Sequence, residues 1–129
     1  MNDLKSALNI LKKEFPDFEH RPQQVEMAEA VFSCLQNNER LLVEAGTGVG
    51  KSFAYLVPAI LSNKKTIIST ATIALQDQLI NKDLTFLQKI LPQKFSFAML
   101  KGKNNYLCLK REREISELSE SFKIGRAHV

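Results

Sequence analysis

A chain of 129 residues, 44% hydrophobic and 25% charged, has enough apolar material for one globular domain with a modest core. No apolar run reaches membrane-spanning length and no secretory leader opens the chain, so no membrane partner is expected and the cytoplasm is the expected location. Two cysteines are too few for a secreted disulfide scaffold, and a formal charge of +4 is compatible with nucleic acid without requiring it.

In chain order, "MNDLKSALNILKKEF" reads as an amphipathic helix over about 3–14, with Leu4, Leu8, Leu11 and Phe15 along one side. A loop through "PDFEHR" leads to a second helix over 22–37. "LLVEA" predicts a short buried strand at 40–44. After a glycine stretch, "KSFAYLVPAIL" predicts a helix over 51–62, with Phe53, Leu56, Val57, Ile60 and Leu61 at helical spacing and Pro58 expected to kink or shorten it. "KKTIISTAT" carries a second strand, at 65–70. "TIALQDQLI" starts a further helix that "NKDLTFLQKIL" continues or follows. "KFSFAML" predicts a third strand at 95–100, "KGKNNY" a loop, and "LCLKREREISELSE" the start of a polar helix. The last six residues, Ile124 to Val129, match one reading frame of a sequencing adapter and are expected to be a non-native tail, with a natural C-terminal tail as the alternative.

Strands that alternate with helices imply parallel βαβ units, so the expected class is α/β, a parallel sheet flanked by helices. Three strands make only part of such a sheet and leave an edge without a partner.

The strand, glycine turn and helix around "GTGVGKS" carry the strongest chemistry. Such a turn forms a nest of backbone N–H groups at a helix N-terminus, where the positive end of the helix dipole also lies. Residues Ala45, Gly46, Thr47, Gly48, Val49 and Gly50 would cradle phosphate oxygens. Lys51 would reach the β- and γ-phosphates of ATP, and the Ser52 hydroxyl would ligate Mg²⁺. These two are the catalytic candidates. Ala45 stands where the general P-loop pattern has its first glycine, a form common in helicases. P-loop ATPases also need an apolar strand ending in Asp, usually Asp-Glu, to hold Mg²⁺ and position water. No such run occurs, and Asp77 and Asp83 lie in helical sequence and are poor candidates. Nucleotide binding is therefore expected, but not turnover by the chain alone.

Four segments together resemble one family. "FEHRPQQVEMAEAV", Phe18 to Val31, is similar to the adenine-recognising segment of superfamily-two helicases. "VEAGTGVGKSFAYLVPAI" resembles their first motif and "TIISTATIALQDQL" their motif Ia. "LKGKNNYLCLKR", Leu100 to Arg111, resembles the entry to the iron–sulfur domain of the XPD-like branch. In this order they look like the N-terminal part of a DinG-type ATP-dependent DNA helicase. The resemblance implies an incomplete RecA-like P-loop NTPase domain over 1–100, the start of an iron–sulfur insertion over 101–123, and a tail over 124–129. It also implies translocation along single-stranded or forked DNA by a monomer, with truncation before the Asp-Glu motif.

Within that resemblance, Gln24 is expected to read the adenine edge through its amide donor and acceptor, with Arg21 and Phe18 flanking the base. From residue chemistry alone, an exposed helix N-terminus with ordinary glutamines is the simpler reading. Thr70 and Thr72, with Gln76 and Gln78 behind them, are expected near DNA phosphates, although hydroxyls there also suit helix capping. Lys101 and Lys103, in a basic run near Tyr106, suit a single-strand backbone groove or a solvated charged surface. Cys108 stands in polar, basic sequence, and the resemblance makes it the first of four iron–sulfur ligands in an intact protein. Cys34, on the apolar face of "AVFSCLQ", reads as core. The alternatives are another P-loop nucleotide-binding protein, such as a small kinase or transport ATPase, and a non-catalytic ATP- or nucleic-acid-binding fragment.

Overall fold

The structure is a computed structural model that describes residues 2–14, 21–46 and 50–126. The described residues divide into two compact units between Met99 and Leu100.

The first unit is helical. Helix α1, Asn2–Glu14, buries Leu4, Ala7, Leu8 and Leu11 along one stripe, as their spacing requires. Asp3 in its first turn and Lys12 and Lys13 in its last complement the helix dipole. Helix α2, Pro22–Asn37, starts on a proline whose missing N–H costs nothing there, and Arg21 before it is extended at φ −109° and ψ 110°. The same helix ends at Asn38 in the left-handed region, φ 55°, with its N–H on the Cys34 carbonyl. The Lys64 ammonium bonds the Leu35 carbonyl and, at 2.8 Å, Asn38 Oδ1, placing a cation at the negative end of α2.

Helix α3, Lys51–Leu61, packs against α2 and α1. It buries Ala54, Leu56, Val57 and Pro58, running through the proline and ending three residues later. Gln93 Nε2 donates to the terminal Ile60 carbonyl at 3.0 Å. Next come α4, Ile73–Gln78, a π-helical turn, Leu79–Leu84, and α5, Thr85–Ile90, as one continuous helical path. Within the wide turn the Thr85 hydroxyl donates to the Ile80 carbonyl at 2.8 Å. Leu79, Leu84, Leu87 and Leu91 close the core from this side, against α1 and α3.

The segments expected as strands, 40–44, 65–70 and 95–100, are not assembled into a sheet among the described residues. A parallel strand takes its hydrogen bonds from neighbouring strands. Here Leu42 is 99% exposed and Ile67 91% exposed, so no such neighbour covers them. Residues 95–97 keep the two-residue period: Phe95 and Phe97 pack on the core with ring centroids 6.0 Å apart, while Ser96 is exposed. Cys34 also departs from the expectation of core. It is half-buried, and its thiol donates to the Glu39 carbonyl at 2.8 Å, because the left-handed turn at Asn38 brings that carbonyl back to the helix end.

The second unit holds a short 3₁₀ turn, Lys103–Asn105, and α6, Leu109–Arg126. The side chains of 109–118 are exposed, and Lys110 pairs with Glu114 one turn on at 4.0 Å. No described helix is long and apolar enough to cross a membrane.

Candidate nucleotide site

The residues on either side of the glycine loop are drawn together by backbone carbonyls. Gly50, immediately before α3, has φ 75° and ψ 39°. Its carbonyl accepts the first helical bond from Ala54 N at 3.3 Å and a second bond from Gln24 Nε2 at 2.9 Å. Gln24 is 2% exposed, so the segment is not an ordinary solvated helix start. A glutamine this buried must satisfy its amide, and the loop carbonyl does so. Two constraints fix glycine here: the positive φ, and a Cβ that would stand 2.2 Å from Gln24 Nε2.

Lys51, the first residue of α3, turns back along the loop. Its ammonium donates to the Ala45 carbonyl at 2.7 Å, bridging the two ends of the glycine stretch. An ammonium has three protons, and this bond uses one. Lys51 is exposed, as an anion-binding lysine must be. Gly46 has open space where a Cβ would stand. Thr47, Gly48 and Val49, and Phe18 near Arg21, lie outside the described residues. Arg21 is half-buried directly before α2.

Ser52 follows in the first turn of α3. Its side chain hydrogen-bonds both the Tyr55 phenol and the Asp83 carboxyl group. Asp83 lies on the π-helical turn, is 8% exposed, and also accepts from Gln78 Nε2 at 3.5 Å. Burial pushes the Asp83 carboxyl above the ordinary carboxylate range, and the bonds from Gln78 and Ser52 hold it partly down. Burial likewise raises the Tyr55 phenol, with the Ser52 bond offsetting part of the rise. Sequence reasoning set Asp83 aside because it sits in helical sequence. No local signal could have found it, since its partner lies on another helix.

This donor set fits Mg²⁺-nucleotide. Magnesium keeps most of its waters and takes few protein oxygens, completing its shell with phosphate. One serine hydroxyl beside a carboxylate, at the root of a glycine loop, matches that demand. A cluster does not fit the chain by itself: iron–sulfur ligation takes four thiolates, and the chain has two cysteines. Cys108 is exposed, and no group of three metal-ligating side chains occurs among the described residues.

The remaining candidates make local bonds. Thr72 Oγ1 accepts from Leu75 N at 3.2 Å and caps α4, the structural role its chemistry allowed. Thr70 Oγ1 donates to the Thr72 carbonyl at 3.1 Å. In the second unit, Lys101 N donates to the Tyr106 hydroxyl at 2.8 Å, and Lys103 opens the 3₁₀ turn.

Comparison with known proteins agrees with this geometry. The family model described as DEAD/DEAH box helicase matches residues 22–119. The ATP-dependent DNA helicase YoaA of Haemophilus influenzae is 52% identical over 101 residues, which are 78% of this chain and 16% of that protein. The ATP-dependent DNA helicase DinG of Photobacterium profundum is 44% identical over 116 residues, 83% of this chain and 17% of its own length. A Bacillus subtilis relative named 3'-5' exonuclease DinG is 38% identical over 117 residues, 87% of this chain and 13% of that protein. The chain thus spans less than a fifth of the length of these curated relatives. With the family model covering most of its residues, and with DinG and YoaA helicases among its relatives, the chain belongs to the DEAD/DEAH box helicase family.

Proposed function

We propose that this chain is the ATP-binding portion of a DinG-type ATP-dependent DNA helicase. The single observation that carries the reading is the pair of side chains held on the glycine loop: Gln24 on the Gly50 carbonyl and Lys51 on the Ala45 carbonyl. One would meet the adenine and the other the phosphates. Both already touch the loop that must lie between them.

In this reading the segments 40–44, 65–70 and 95–100 are strands of a RecA-like parallel sheet completed by further polypeptide. Their exposed apolar residues, Leu42 and Ile67 foremost, support that assignment. Gln24 reads the adenine edge beside Arg21. Residues 45–50 and Lys51 hold the triphosphate, and Ser52 holds Mg²⁺. Thr70, Thr72, Lys101 and Lys103 meet the backbone of single-stranded or forked DNA. Cys108 supplies one thiolate to an iron–sulfur cluster whose other ligands lie outside this chain. The working enzyme is a cytoplasmic monomer, and the chain without an Asp-Glu strand binds nucleotide but does not turn it over.

The test is ATP hydrolysis by a full-length protein carrying this sequence, measured with and without a single-stranded oligonucleotide. Hydrolysis that rises with the oligonucleotide and disappears in Lys51→Ala is the expected result. Hydrolysis indifferent to DNA would transfer the chain to another class of P-loop enzyme.

A further inference from the structure

The least economical residue in the helical unit is Asp83. It stands among Leu79, Leu84 and Leu87, on a turn that departs from α-helical geometry, and it is nearly covered. An apolar side chain would fill the same space without the cost of desolvating a carboxylate. Three bonds' worth of geometry explains what the carboxylate meets there. Gln78 Nε2 approaches one oxygen at 3.5 Å, a long contact. The other partner is the Ser52 side chain, in the first turn of a helix 31 positions earlier in the chain. The π-helical turn packs against α3, and this packing brings the two together. Single π-turns inside α-helices recur at functional sites, because the added residue re-aims a side chain.

We infer that Asp83 is a positioning residue for magnesium: it accepts the Ser52 hydroxyl proton, fixing that hydroxyl with its lone pairs toward the cation held between Ser52 and the nucleotide phosphates. This rests on the nucleotide reading above and goes beyond it by naming a residue outside the glycine loop. The chemistry follows from the donor inventory. A carboxylate only accepts, so the serine must donate to it. A serine that donates its proton cannot rotate that proton into the metal position. The carboxylate also raises electron density on the serine oxygen and adds a nearby negative charge that favours a dication. Groups in this outer position typically alter metal affinity by about 10–100-fold.

The experiment is titration of the 129-residue chain with a ribose-labelled fluorescent ATP, in EDTA and in Mg²⁺, read as the ratio of the two dissociation constants. Asp83→Leu fills the volume without an acceptor. Asp83→Asn keeps an acceptor oxygen, and Gln78 can turn its own amide to match. Wild type binds more tightly with Mg²⁺. Asp83→Leu loses about tenfold of that gain while its affinity in EDTA is unchanged, and Asp83→Asn restores most of it. Ser52→Ala loses the same gain, and adding Asp83→Leu to it costs nothing more, as expected of two residues acting through one hydroxyl. A full Mg²⁺ gain in Asp83→Leu overturns the inference alone. So does an equal loss in EDTA and Mg²⁺, which would make Asp83 merely structural. Wild type that binds no nucleotide in either buffer overturns the inference and the nucleotide reading together.

Discussion

Replacing Gly50 by alanine tests whether the glycine loop is anchored as described. Gly50 sits at φ 75°, where an L-residue pays about 1–2 kcal/mol against its Cβ. The new Cβ would stand 2.2 Å from Gln24 Nε2 and 3.0 Å from Gln24 Cδ, so the amide must withdraw. That side chain is flexible, which limits the steric penalty to the bond it gives up, about 0.5–1.5 kcal/mol. The sum is about 2–3 kcal/mol of lost stability, measured by urea unfolding of the chain. Two comparisons isolate the cause. Gly46→Ala, whose Cβ meets nothing within 4 Å, should cost well under half as much. In a Gln24→Ala background, Gly50→Ala should cost only its backbone share, leaving a coupling of about 1 kcal/mol between the two positions. Equal effects of Gly50→Ala and Gly46→Ala, or no coupling to Gln24, would refute the reasoning.

Other consequences follow from single contacts. Leu11→Ala, at a fully buried position where α1 meets the core, should destabilise by about 2–5 kcal/mol in the same unfolding assay. Thr72→Ala removes the α4 cap and should cost about 1 kcal/mol, with Thr72→Ser restoring it. The raised Asp83 carboxyl sets a pH dependence. Folding favours its protonated form, so its contribution is present at low pH and is lost as pH rises through the folded value. Asp83→Asn should therefore gain stability relative to wild type at pH 7, and that gain should shrink as the pH falls through the carboxylate range; a gap that stays constant with pH would contradict the assignment.

How far the sequence anticipates these features depends on the range of the interactions behind them. The stripe of Leu4, Leu8 and Leu11 and the start of α2 at Pro22 are local patterns, and both helices lie where spacing and proline chemistry place them. The glycine loop is equally local, a string of residue types with one well-defined use. Gln24 is different. A polar residue near a helix start normally faces water, and its burial depends on a carbonyl 26 residues away. Asp83 was passed over for the same reason: nothing in "NKDL" signals a π-turn or a serine on another helix. The strand segments show the opposite case. Their β-branched and apolar residues carry the period and composition of strands, but ladder bonds need neighbours that these described residues do not provide.

The most direct test of the central claim is calorimetric titration of the chain with ATP in Mg²⁺, wild type against Lys51→Ala, with Lys12→Ala on the exposed side of α1 as control. A lysine bonded to phosphate contributes about 1.5–3 kcal/mol, so Lys51→Ala should weaken binding by about 10–100-fold, and Lys12→Ala should leave it unchanged. Wild-type affinity retained in Lys51→Ala would contradict a phosphate site at this loop.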